Sequence, residues 1–262
     1  MTTSTLKFIA LFAMLVDHIG QFIPYTPEWF GWIGRIAAPI FIYCIIIGYI
    51  HTSNRIKYLS HMYSFSVFMA FLNLFINYYF NDTYNYITNN FFTPLFIIGF
   101  IIFIIDKKEV KYIIYFIIWQ ILSTLACFFF AGVISLPNLS DAQPIYLFYG
   151  SLFGNVFFAE GGFLFIVLGV LFYFMKDNKV KVAIAYSFFS IIIILVFHKW
   201  GSSMNAILYY LFPFANYQWM MIAALPFILF YNGKKGIGIK YFFYVFYPVH
   251  IVILYIIGVL IK

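Results

Sequence analysis

Two neighbouring residues, Asp17 and His18, interrupt an otherwise apolar run near the amino terminus, and Arg35 lies near the outer end of the next such run. Ionisable groups inside apolar, membrane-length segments are costly and by default mark function. An imidazole with an ordinary pKa near ~6.5 can take a proton from an attacking hydroxyl or amine. A nearby carboxylate can hold the productive tautomer and stabilise the imidazolium. Arg35 can neutralise Asp17 or a developing oxyanion, and residue types alone do not choose between these. Successive helical residues point about 100° apart, so Asp17 and His18 do not simply face each other. The structural alternative is a polar clamp joining the first two helices.

A second group falls in HTSNRIKY, residues 51–58, where His51, Arg55, Lys57 and Tyr58 follow the second apolar run. With Lys7 they form a candidate binding site for an anionic ligand, since Arg and Lys match phosphate well. The competing reading is an ordinary basic loop. A third group is YPVH near the carboxyl end. Pro248 kinks its helix and frees backbone carbonyls, and Tyr247 and His250 are candidates for substrate contact. His61, Glu160 and His198 lie near segment ends and are weaker. Cys44 and Cys127 have no partner at ligand spacing, so neither a metal site nor a disulfide framework is expected.

The elements that must position these groups are membrane helices. Of 262 residues 65% are hydrophobic and 9% charged, with a mean hydropathy of +0.97, whereas a soluble domain carries about a quarter charged residues. Nucleic-acid binding is excluded as a main activity despite the net charge of +7, because the charges fall in short gaps between apolar runs. A span needs roughly 20 apolar residues. Nine segments qualify, near 6–24, 32–50, 58–80, 91–105, 112–132, 158–175, 182–198, 216–231 and 241–261, the fourth and eighth being short. Residues 133–157 read as a long loop with a re-entrant piece, and 204–214 as interfacial. The expected fold is an all-α bundle of about nine transmembrane helices forming a single domain over 1–262.

Orientation follows from the basic residues. With the amino terminus in the cytoplasm, the inside ends hold Lys7, Arg55, Lys57, Lys107, Lys108, Lys111, Lys176, Lys179, Lys181, Lys234, Lys235 and Lys240, twelve of the fifteen basic residues. The first segment carries Asp17-His18 and no small-residue cleavage site, so it is expected to remain as a helix.

LKFIALFAMLVDHIG at 6–20, IGRIAAPIF at 33–41, GYIHTSNRIKYL at 48–59, NFFTPLFIIG at 90–99 and the terminal YPVHIVILYI resemble the TraX family, whose founding members are described as acetylating the amino terminus of conjugative pilin. The resemblance implies an acyltransferase of the bacterial cytoplasmic membrane, similar to the wider membrane enzymes that move acetyl groups from cytosolic acetyl-CoA. Those enzymes commonly carry a basic residue and a His separated by ten intervening residues on the first helix, as Lys7 and His18 are here. By that resemblance Lys7 helps hold CoA phosphates and His18 is the catalytic base. Partners would be acetyl-CoA, the bilayer, and a peptide or glycan acceptor. The main alternative is a proton-coupled transporter or channel using the same Asp, His and Arg; a scaffold protein would need no deep polar residues.

Overall fold

The computed structural model describes residues 1–80, 86–133, 143–200, 215–238 and 240–261, with backbone alone at 197–200, 215, 216 and 240. Every regular element among them is helical: α1 (Thr3–Phe22), α2 (Trp29–Gly34), α3 (Ala37–Ile50), α4 (Arg55–Phe80), α5 (Phe92–Lys107), α6 (Val110–Val133), α7 (Gln143–Phe153), α8 (Gly162–Met175), α9 (Lys179–Trp200), the 3-10 helix η1 (Ala215–Ala224), α10 (Leu225–Leu229) and α11 (Lys240–Ile261). Among the described residues six segments are long and apolar enough to cross a bilayer, α2 and α3 counting together as one span. The chain is a multi-pass membrane protein. The expected fourth, sixth and eighth spans fall on shorter elements: α5 with 16 residues, α8 with 14, and η1 followed by α10.

Contacts separate the chain into two compact units, Met1–Gly48 with Leu171–Lys262, and Tyr49–Val170. In the first unit, Thr2 caps α1 by accepting from the Thr5 amide. The helix ends where Ile23 turns extended ahead of Pro24, the conformation a following proline favours. Thr26 Oγ1 donates to the Ile23 and Gly20 carbonyls, two acceptors that a helix end otherwise leaves unpaired. Helices α1 and α11 run parallel, meeting at Phe8–Phe243, His18–His250 and Phe22–Tyr255. At the base of the pair, the Thr3 and Ser4 amides donate to the Lys234 and Lys235 carbonyls, and Lys179 Nζ donates to the Leu229 and Tyr231 carbonyls. Lys7, Lys179, Lys234 and Lys235 therefore share one end of this unit.

The second expected span, drawn as continuous over 32–50, is broken between Gly34 and Ala37. Pro39 explains the break. It sits in the first turn of α3, where its missing N–H costs nothing, but a helix running through would need that N–H for the Arg35 carbonyl. The chain crosses the gap with tighter bonds, the Arg35 and Ile36 amides donating to Trp32 and Ile33.

In the second unit, Asn54 caps α4 through the Lys57 amide, so part of the HTSN string is a helix-start signal. The buried stripe of α4 carries Ser66, Asn73 and Asn77 among its apolar residues. Residues 86–90 are non-helical, and Asn77 makes two bonds to Ile87, one to its amide and one to its carbonyl, while Asn73 Nδ2 donates to the Asn89 carbonyl. Unwound backbone is tolerated at membrane depth only when protein satisfies it. These asparagines supply that, and they explain why α5 is short. Residues 143–153, expected within a loop, are the helix α7. Pro144 stands at its second position, where proline starts a helix instead of ending one. Residues 204–214 lie outside the described residues.

Candidate functional site

The buried stripe of α1 runs Leu6, Ala10, Ala13, Met14, His18 and Phe22, the spacing of one helix face. His18 is on it and 3% exposed; His250 of α11 is 5% exposed. His18 Nδ1 and His250 Nε2 are 2.7 Å apart. The ring centroids are 5.0 Å apart with planes within 10°, so the imidazoles are nearly coplanar and meet edge to edge. His250 Nδ1 lies 2.7 Å from the Phe246 carbonyl. A carbonyl only accepts, which places a proton on His250 Nδ1. With both rings neutral, His250 Nε2 then accepts from His18 Nδ1–H, and Nε2 becomes the acceptor nitrogen of His18. The chain Phe246 carbonyl, His250, His18 thus fixes one tautomer of each ring. Tyr247 packs its ring edge-on to both, at 6.4 Å from His18 and 5.8 Å from His250.

Asp17 faces a different helix. Arg35 Nη2 bonds both of its carboxylate oxygens, at 2.8 and 3.1 Å. Arg35 Nε also donates to the Gly31 carbonyl at 3.1 Å, and Nη1 to Gln218 Oε1 of η1 at 3.4 Å. The pair is mostly shielded, with the two side chains 11% and 21% exposed. Gly34 makes the fit possible: a Cβ there would lie 2.1 Å from Asp17 Oδ1. Of the expected trio of carboxylate, imidazole and guanidinium, the first and third meet, while the imidazole takes His250. The α1 turn at 17–18 therefore holds two partners on two sides, a clamp to α2 and a histidine pair to α11.

His18 is ~16 Å along α1 from Lys7, and His250 is ~15 Å along α11 from Lys240, about half of a ~30 Å hydrocarbon layer. The histidine pair is therefore midway between the faces, with the basic ends of both helices on one side. Such a pair can accept a proton at His18 Nε2 and spread the charge over two rings, because His250 can receive the Nδ1 proton as His18 gains another. Of the candidate anion-binding group, Lys7 belongs to the first unit, its ammonium 5.6 Å from the Phe243 ring. His51, Arg55, Lys57 and Tyr58 belong to the second. There Arg55 bonds Asp106 at 2.6 Å and lies over the Tyr49 ring, and Tyr49 donates to the same Asp106 oxygen at 3.2 Å. His51 and Lys57 are exposed and Tyr58 half-buried. His61 Nδ1–H donates to the Lys57 carbonyl, Glu160 accepts from the Asn90 amide, and the His198 side chain is outside the described residues.

Sequence reasoning missed Asp106 as the Arg55 partner and Gln218 as an Arg35 partner. It also missed His250 as the partner of His18: counting from Lys7 and Lys240 puts both histidines at one depth, but shared depth does not say that their helices pack side by side.

No solved structure matches this chain. A protein of Dichelobacter nodosus named probable fimbrial assembly protein FimC, serogroup H1, is 26% identical over 256 residues, covering 95% of this chain and 92% of that protein. The family described as TraX protein matches residues 2–137 and 144–258, nearly the whole length and both halves of the site, and the chain belongs to that family.

Proposed function

We propose that the protein is an acetyltransferase that uses cytosolic acetyl-CoA and an acceptor amine or hydroxyl within or beyond the membrane, with its amino terminus in the cytoplasm. The observation that carries this reading is the hydrogen-bonded chain from the Phe246 carbonyl through His250 to His18. It gives a general base its orienting partner, the role a carboxylate plays in a Ser-His-Asp triad. His18 Nε2 takes the proton as the acceptor nitrogen or oxygen attacks the thioester carbonyl. The carbonyl–sulfur bond then breaks, and the His18 imidazolium returns the proton to the departing thiolate. Arg35 and Asp17 hold α1 against α2 and so fix the depth of His18.

The family's association with pilin acetylation and the relative's name as a fimbrial assembly protein support a pilin-like peptide amine as acceptor over a cell-envelope glycan. For the CoA phosphates the candidates are Arg55 and Lys57, with His51 and Tyr58, in the second unit and Lys7 in the first, each unit taken by itself. No metal is required.

The test is purified protein in vesicles with acetyl-CoA labelled in the acetyl group. Label is expected to leave CoA when a peptide amine is supplied, and not in His18→Gln. A second reading, a proton-coupled transporter, is favoured by one observation. The non-helical segments before α5 and before α8 meet where the Asn90 amide donates to Glu160, and broken segments of this kind line transporter sites. Proton flux into the same vesicles without loss of label from CoA would favour it.

A further inference from the structure

The second unit contains a groove of about 440 Å³ walled by Tyr63, Phe96, Phe100, Phe103, Phe116 and Trp119 from α4, α5 and α6, with Lys107 at one end. Its other end is the carboxyl terminus of α7, where Leu152, Phe153 and Gly154 line it. Helix ends normally present bare carbonyls, which would make this floor polar. Here each is occupied: Tyr63 Oη donates to Leu152, Trp119 Nε1 to Phe153 and Gln120 Nε2 to Gly154. The groove is therefore apolar from wall to floor.

Its length matches one leaflet. Phe96 and Lys107 are eleven residues apart on α5, ~16 Å of helix, against about half of a ~30 Å hydrocarbon layer. The charge at the mouth is also specified. Of the carboxylates beside Lys107, Asp106 is bonded to Arg55 and Glu109 to Lys111. Among the described residues neither pairs with Lys107 or Lys108, and the Lys107 ammonium rests 5.0 Å from the Phe103 ring at the groove's end. A one-leaflet apolar slot with a cation at its membrane-surface end has the shape and charge of a lipid site.

We propose that this groove binds one acyl chain of an anionic phospholipid, whose phosphate sits on Lys107. The proposal does not depend on the acetyl-transfer reading, since no residue of the histidine site lines the groove.

Trp119 reports occupancy directly. In a variant whose other four tryptophans, Trp29, Trp32, Trp200 and Trp219, are replaced by Phe, its fluorescence is measured in phosphatidylcholine vesicles holding dilute brominated lipid. Brominated phosphatidylglycerol should quench with an apparent affinity roughly fivefold above brominated phosphatidylcholine, the worth of one basic residue at a membrane surface. Lys107→Gln should remove that preference, and Lys111→Gln, which is committed to Glu109, should keep it. Equal quenching by the two lipids overturns the proposal. So does a preference that survives Lys107→Gln, or one that Lys111→Gln lowers equally, because that would be a diffuse basic surface. Native mass spectrometry of the chain with its tryptophans intact gives a second readout: retained phosphatidylglycerol, lost in Lys107→Gln alone.

Discussion

His18 and His250 lie 232 positions apart in sequence and 2.7 Å apart in space, each about ten residues above a basic helix end. Parallel packing of the first and last helices makes this possible, and the loop around Lys234 and Lys235 clamped to the start of α1 sets its register. Gly258 completes the approach at the far end, where a Cβ would lie 2.2 Å from the Phe22 carbonyl. The pairing of the two imidazoles is thus fixed from both ends of the helix pair.

If His18 is the base, His18→Gln should lower turnover about 10²–10⁴-fold, the usual worth of a general base, with melting temperature nearly unchanged. His250→Gln keeps an acceptor for the His18 Nδ1–H and should retain most activity. His250→Ala loses one neutral hydrogen bond, about 0.5–1.5 kcal/mol, or roughly two- to twelvefold in rate. Single-turnover rates and thermal scans on the three variants check this. Equal loss in both His250 variants would mean that His250 acts by more than orientation.

The Asp17–Arg35 pair predicts a different pattern. Removing one partner of a buried pair costs about 3–5 kcal/mol, and somewhat less where water reaches it, so Asp17→Asn should lower thermal stability together with activity. Gly34→Ala should do the same by overpacking, about 1–3 kcal/mol, because its new Cβ meets the Asp17 carboxylate. Gly132→Ala is the control: nothing lies within 4 Å of a Cβ there. It should leave melting unchanged or raise it slightly, alanine being the better helix former.

Much of this was legible in the sequence. Apolar runs gave the all-helical membrane class, and the i, i+4 spacing of Leu6, Ala10, Met14 and His18 marks the face of α1 that turns inward. Three things were hidden for physical reasons. Pro39 lay within a run read as continuous and Pro144 within a stretch read as a loop, yet each stands in the first turn of a helix, so one broke an expected span and the other began a helix inside an expected loop. The partner of His18 depends on which distant helix packs beside α1, which no local pattern encodes. Asn73 and Asn77 are four apart on the Ser66 stripe, a visible signal, but its meaning needs the unwound strand that they hold.

That role makes a stability prediction. Asn77→Ala leaves the amide and carbonyl of Ile87 without the two bonds they now make at 2.8 and 2.9 Å. Each buried group left unsatisfied costs about 1–3 kcal/mol. Asn77→Asp keeps the acceptor for the amide and should lose less only where the carboxyl is protonated. A clear fall in melting temperature for Asn77→Ala, larger than for a lipid-facing change such as Phe75→Ala, is the expected outcome.

The last prediction concerns Arg55, which is assigned to the CoA phosphates yet is already bonded to Asp106. A phosphate must compete with that carboxylate and with the Tyr49 hydroxyl that donates to it. Arg55→Ala should weaken CoA binding by the value of a charge-assisted contact, about 1.5–3 kcal/mol. Asp106→Asn removes the competing charge while keeping the side chain's shape, so it should tighten CoA binding. Tyr49→Phe, which withdraws a donor from Asp106, should leave the carboxylate a stronger competitor and weaken CoA binding slightly. Calorimetric titration of CoA into the three variants separates the cases. Opposite signs for Arg55→Ala and Asp106→Asn mean that Arg55 exchanges one anion for another. Loss of affinity in both would mean that the Arg55–Asp106 pair serves the fold, and that the phosphates are held elsewhere.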